Sequence, residues 1–230
     1  MKFLIFAATA LLAVSYARAA DSCYNDVSLN CAQSASSLAL PKCNAVYADY
    51  GHHGNVATEL QAYANSHLEL SFQYLLSAAY FNNYQTNRAG FTKLFKKLSD
   101  EAWNKNIDLI KHITLRGDTM DFSRRSAKEN GYNREYTVEV NELEALAKAL
   151  DTQKELAERA FYIHREATRN SPKLHDPEIT QYLEEEFIED QAKTIRNLAG
   201  HTTDLKSFIV EGKDLSLALY MYDEYLQKIL

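Results

Sequence analysis

The chain has 230 residues, 46% hydrophobic and 24% charged, with a net charge of −6. That supplies one sizeable core and excludes general disorder. Only seven Gly and three Pro argue against a turn-rich sandwich or barrel, and an acidic balance with no long Lys/Arg run argues against nucleic acid as a partner.

Residues 1–19 read as an address. Lys2 gives a basic start, Phe3 to Val14 a largely apolar run, and Ala17-Arg18-Ala19 a small-x-small cleavage pattern. The run is too short to span a bilayer and no other stretch approaches that length, so a cleaved secretory signal peptide is expected and a membrane anchor is not. No Asn-x-Ser/Thr sequon occurs.

Residues 20–54 form a polar extension holding all three cysteines, Cys23, Cys31 and Cys43. An odd number in an oxidising compartment leaves one without an internal partner. It is either a free thiol or a bridge to another chain. Spacing does not decide the connectivity; the working expectation pairs Cys23 with Cys43 and sends Cys31 to a partner chain.

From Asn55 to the end, helical periodicity takes over. The first block, about Asn55 to Asn83, places Leu60, Tyr63, His67, Leu70, Tyr74, Ser77 and Phe81 on one face. The second follows Gly90, carries Phe91, Phe95, Leu98, Ala102, Lys105, Leu109, His112 and Arg116, and stops at Gly117. A polar stretch from Asp118 to Arg134 is long for a bundle turn, usually about two to eight residues. It is long enough to run the length of a bundle, leaving the second and third blocks parallel. The third block, roughly Tyr136 to Arg169, aligns Leu143, Leu146, Leu150, Gln153, Ala157, Ala160 and His164. Asp176 and Pro177 then suit a cap and a first turn. The fourth block carries Leu183, Phe187, Gln191, Thr194 and Leu198, with a bend expected at Gly200. Beyond Gly212, a short fifth block carries Leu215, Leu219, Tyr222 and Leu226. The expected fold is all-α: one domain over 55–230, with four long helices, one long crossover and a short fifth helix.

Midway along the bundle these inner lines turn polar, at His67, Tyr74, Ala102, Lys105, Gln153 and Gln191. Di-metal bundles hold iron with Glu residues and Glu-x-x-His pairs, since i and i+3 share a face. None of the seven His has a Glu three residues earlier. The lines themselves offer no carboxylate, and Lys105 repels cations. A buried hydrogen-bonded layer is therefore expected, with the Lys105 ammonium bonded to Gln153, Gln191, Tyr74 or water.

Several strings carry a family resemblance. Tyr74-Leu75-Leu76-Ser77-Ala78-Ala79-Tyr80-Phe81 resembles the first long helix of ferritins. Asn87-Arg88-Ala89-Gly90-Phe91 resembles the entry to the second, and Leu115-Arg116-Gly117 its end. His175-Asp176-Pro177, followed by Glu184-Glu185-Glu186-Phe187-Ile188-Glu189-Asp190-Gln191-Ala192-Lys193-Thr194-Ile195, looks like the fourth. With its leader and Cys-bearing extension, the chain is similar to the light-chain type of secreted insect ferritins.

That resemblance implies a ferritin-like four-helix bundle and a secreted iron-storage shell of twenty-four subunits, in which copies of this chain join a catalytic heavy-chain-type partner and iron is stored mineral. The ferroxidase pattern maps a first-helix Glu onto His67, a second-helix Glu-x-x-His onto Ala102 and Lys105, and a third-helix Glu onto Gln153. Only Tyr74 and Gln191 match it as vestiges, so no catalytic residue and no enzyme activity is expected. The alternatives are a ferroxidase with an unconventional site and a secreted four-helix signalling protein. The second helix of the family carries inward carboxylates; here Lys93, Lys96 and Lys97 dominate, leaving Asp100 and Glu101 as candidate metal ligands. At the family's iron-entry channel the acidic pair reads Gln181 and Glu184, so Glu184 is the third candidate.

Overall fold

The structure is a computed structural model that describes residues 23–32, 43, 55–124, 138–168, 176–212 and 214–230, without the side chains of 29–32. The expected leader, the Cys31 side chain, and the expected start and end of the third block at Tyr136 and Arg169 lie outside the described residues. The chain divides into two compact units, 1–48 and 49–230.

In the first unit a helix, α1 (Cys23–Ala32), opens on Cys23, which is joined to Cys43 by a disulfide with the Cα atoms 4.5 Å apart. The bridge closes the segment between them into a loop, which limits the conformations open to the unfolded chain.

The second unit is all helix among its described regular elements: α2 (Val56–Phe81), α3 (Ala89–Leu115), α4 (Glu142–Ala167), α5 (Pro177–Leu183), a π-turn (Glu184–Ile188), α6 (Glu189–Glu211) and α7 (Leu215–Ile229). The starts are written locally. The Asn141 side chain accepts from Leu143 N at 2.9 Å, Asp176 from Glu178 N at 3.1 Å with Pro177 in the first turn, and Asp214 from Ser216 N at 2.8 Å. α3 ends at Gly117, whose φ of 86° needs no strain in a residue without Cβ.

Helix directions follow from the cross-links. Phe81 meets Phe91, and the Ser99 hydroxyl donates to Ser71 O at 2.8 Å, so α2 and α3 run antiparallel. Tyr80 reaches Val140, Tyr74 reaches Ala149, and Arg159 bonds Ser66, so α2 and α4 also run antiparallel. α3 and α4 are therefore parallel, as a single long crossover requires. Gln61 Nε2 donates to Thr119 O at 2.8 Å and Asn65 Nδ2 to Asp121 O at 3.0 Å, which fastens the start of that crossover to α2.

Two sequence expectations need correction. The chain through 138–140 is not helical: α4 opens at Glu142, because Asn141 caps it. Gly200 does not interrupt its helix, since it lies inside the continuous α6; the irregularity is the π-turn Glu184–Ile188. An extra residue per turn there rotates everything beyond it relative to α5.

The inner faces largely match the periodicity, with Leu60, Tyr63, Leu70, Phe81, Phe91, Phe95, Leu109, Leu146, Phe187, Leu198 and Leu226 all buried. On α4 the buried stripe is broader than expected, since Ala149, Leu156 and Ile163 join it.

Candidate functional site

Halfway along the bundle, α2, α3, α4 and α6 surround a cavity of about 320 Å³. His67, Ala102, Lys105, Gln153 and Gln191 all line it, together with Leu98, Glu101, Phe187 and Asp190. Four helices thus bring together the polar layer read from the sequence. Tyr74 stands beside it, its hydroxyl accepting from Gln153 Nε2 at 3.2 Å and donating to Ala149 O at 3.4 Å.

His67 is buried, with both ring nitrogens lacking a hydrogen-bond partner among the described residues. The Tyr63 ring meets it edge-on at 4.7 Å and Phe187 at 5.6 Å. Burial, assisted by the Lys105 and Arg159 charges, pushes its pKa down to about 3. The imidazole is therefore neutral at any physiological pH. Gln191 Nε2 donates to the Tyr63 hydroxyl at 2.5 Å, while Gln191 Oε1 has no partner among the described residues. Burial raises the Tyr63 phenol well above its ordinary range, so it remains a neutral acceptor.

Lys105 reaches the cavity, but not to the partners expected of it. Its ammonium donates to Asp190 Oδ2 at 2.9 Å and to the Glu186 carbonyl within the π-turn, and lies 5.2 Å from the Phe187 ring centre. The expected bonds to Gln153, Gln191 or Tyr74 are replaced because a carboxylate is available one line over on α6. Lys105 in turn holds the Asp190 carboxyl below its ordinary range. The expectation of a layer without carboxylates is corrected accordingly, since Asp190 and Glu101 both line the cavity. Packing around Glu101 raises its pKa, against the opposing pull of Lys97.

The other two candidate ligands are already engaged. Asp100 is ion-paired to Lys96 at 2.5 Å, and both side chains are exposed. Glu184 Oε1 accepts from His164 Nε2 at 2.7 Å, while Gln181 Nε2 donates to Glu185 at 3.0 Å rather than joining it. Among the described residues, no three of His, Cys, Asp or Glu converge as a metal-holding group. What the cavity does chemically is hold neutral polar groups beside a paired charge.

Sequence reading put Tyr63 on the inner line without assigning it to the polar layer, and did not single out Asp190 or Arg159. Arg159 bonds the Ser66 hydroxyl and, at 3.3 Å, Glu155. Part of the signal for Asp190 was present: a buried ammonium needs a counter-charge, and Asp190, like Glu184 and Glu186, stands one residue from the inner line of the fourth block.

The signature of the ferritin-like domain family matches residues 57–208. The chain belongs to the ferritin family. It is 71% identical over 230 residues to the ferritin light chain of Trichoplusia ni, spanning 99% of each chain. It is 42% identical over 233 residues to the ferritin light chain of Drosophila melanogaster, spanning 99% of this ferritin and 100% of that one. A ferritin heavy chain from Papilio xuthus is more distant, at 28% identity over 98% of both. In fold, this ferritin superposes on the crystal structure of Trichoplusia ni secreted ferritin with a TM-score of 0.83 and 73% identity, covering 92% of this chain and 100% of that one. Its sequence thus groups with light chains and its structure with a secreted ferritin. Among the described residues no helix is long and apolar enough to cross a membrane.

Proposed function

We propose that this ferritin is a light-chain-type subunit that does not itself oxidise iron. It contributes to a secreted iron-storage shell of twenty-four subunits built with a heavy-chain-type partner and further copies of itself. The observation that carries the reading is Lys105, whose ammonium is held by Asp190 and Glu186 in the cavity, at the position onto which the His of the family's second-helix Glu-x-x-His maps. Iron oxidation at a paired-metal centre needs carboxylates that bridge cations. A neutral His67, Ala102 and Gln153 at the matching positions supply none, and a fixed cation repels what remains.

Iron is then cargo, held as mineral. Of the three carboxylates proposed to meet it, Glu101 is the best placed, because Asp100 and Glu184 must first release Lys96 and His164. The proposed organisation is a signal peptide at 1–19, a Cys-bearing extension at 20–54 and the bundle domain at 55–230. With Cys23 and Cys43 bonded to each other, Cys31 has no further cysteine in its own chain and is assigned to a bridge with a partner subunit.

The test is stopped-flow oxidation of Fe(II) by the chain assembled alone. The expected trace is indistinguishable from protein-free buffer, and a saturable, protein-dependent rate overturns the proposal. Replacing His67→Glu, Ala102→Glu, Lys105→His and Gln153→Glu together should produce a measurable rate. On non-reducing electrophoresis, Cys31→Ser should abolish a band at twice the subunit mass; loss of that band with Cys23→Ser instead would reassign the bridge.

A further inference from the structure

α5, the π-turn and α6 follow one another without a break, and α3 grips this run on both sides of the irregularity. Lys105 and His112 on α3, and Arg116 at its cap, fall on one line. At the end of that line the Arg116 guanidinium donates to Asp176 Oδ2 at 2.6 Å and to Glu178, and His112 Nε2 donates to Glu178 Oε1 at 2.8 Å. The His112 ring also lies flat on Tyr182, with 3.9 Å between centres. Further back along α3, Lys105 bonds Asp190 and the Glu186 carbonyl and stands over the Phe187 ring. The first set of contacts holds α5. The second holds the π-turn and the start of α6.

The extra residue of the π-turn is what lets a single line serve both. Lys105 and His112 are seven residues apart, so at roughly 100° per residue they differ in direction by only about 20°. Their partners Asp190 and Glu178 are twelve apart and would diverge by about 120° in a regular α-helix. The π-turn takes up about 100° of that and leaves the two acids on one face. Apolar packing agrees, since Phe187 is buried with Tyr63 and Tyr182 at 5.5 and 5.6 Å. The Lys105 hold is the weaker of the two. It reaches across a cavity, and the Lys105 and Asp190 side chains are 24% and 51% exposed, against 11% and 7% for Arg116 and Asp176.

We propose that Lys105 is a latch on the π-turn. While its ammonium holds Glu186 and Asp190, the turn keeps Phe187 seated in the core. When that hold is lost, the turn opens locally and uncovers the mid-bundle cavity, with α5 still fastened by Arg116 and His112. The latch depends on this chain's own contacts and not on whether the assembled ferritin oxidises iron.

Hydrogen exchange of the assembled protein, read by mass spectrometry at neutral pH, tests the latch segment by segment. Lys105→Met, confirmed to retain assembled size, should speed exchange over residues 186–191 about fivefold, the worth of one partly exposed charged hydrogen bond, and leave α2 and α4 unchanged. Lys111→Met, at an exposed lysine of α3, should change nothing in that segment. A second arm needs no substitution to begin with. Raising salt to about 1 M should speed exchange over 186–191 in the wild-type chain, because screening reaches a partly exposed pair, and should have no such effect in the Met variant. Unchanged exchange over 186–191 in Lys105→Met, an increase spread equally through α2 and α4, or an equal effect of Lys111→Met would each overturn the proposal. So would a wild-type segment indifferent to salt, or a salt response that survives the substitution.

Discussion

The two halves of the bundle core are packed by different rules. At the end where α2 turns into α3, Phe81 stacks on Phe95 at 5.5 Å and 14°, and Phe91 lies 5.3 Å from Phe81. Polar groups there are matched. The buried Asp223 carboxylate of α7 accepts from Gly90 N at 2.8 Å and Phe91 N at 3.0 Å, and the Tyr222 hydroxyl donates to His201 O at 3.0 Å. Asp223 supplies the cap that Arg88 does not, at the positive end of a 27-residue helix. Gly90 makes the approach possible, since a Cβ there would lie 2.2 Å from Asp223 O. The middle of the core, by contrast, holds a cavity, a neutral histidine with no hydrogen-bond partner among the described residues, and a tethered ammonium. The first region is built for closure. The second keeps a layer of polar side chains at mid-bundle where the first has aromatic packing.

Substitutions at both places sharpen this contrast. Phe81→Ala, at a side chain with no exposure, should cost about 3–5 kcal/mol through lost burial and a residual void. Denaturant midpoints at neutral pH measure it, and a loss under about 1 kcal/mol would mean the aromatic end is not tightly packed.

His67→Phe should behave oppositely at neutral pH, with stability unchanged or raised, because removing orphaned donors and acceptors offsets the altered shape. Its larger effect appears in acid. The folded imidazole has a pKa lowered from 6.5 to about 3, so the unfolded chain takes up the proton first. Wild-type stability therefore falls as pH drops from about 6.5 toward about 3, by an amount on the order of 4 kcal/mol from this group. The Phe variant should lose that portion of the slope. Urea unfolding across this pH range decides it, and parallel slopes would place His67 in contact with a stabilising partner.

Asp223→Ala should cost about 1–2 kcal/mol by removing a cap, and Asp223→Asn less because the amide oxygen still accepts. Hydrogen exchange at Gly90 and Phe91 should rise with the Ala variant; unchanged protection there would show that α7 is not what closes this end. Lys105→Met is the mildest change, within about 1 kcal/mol, because Asp190 is half exposed and can turn to water. It should nonetheless alter acid sensitivity. Lys105 holds the Asp190 carboxyl low, so its contribution is present above the ordinary carboxylate range and fades as pH falls through the depressed value. The Met variant should lack that fade, and an unaltered acid limb would separate Lys105 from Asp190.

Much of the fold is legible in the amino-acid order. Spacings of three and four fix the inner lines of α2 and α3, and Asp176-Pro177 marks a helix start by capping chemistry that needs only neighbouring residues. The same lines locate His67, Lys105, Gln153 and Gln191 in one layer, since residues sharing a face at equal depth must meet in a bundle. The partners within the layer are not legible. Which oxygen receives Lys105 depends on how α6 is rotated, and the π-turn at Glu184–Ile188 sets that rotation without any Gly or Pro to announce it. Asp223 capping α3 from α7 depends on elements 132 and 133 residues apart. The sequence alone determined most of the helices and most of their buried faces, because those are local and periodic properties. Only the tertiary structure decided which buried groups are satisfied, because satisfaction is a relation between helices whose rotation and depth no single segment encodes.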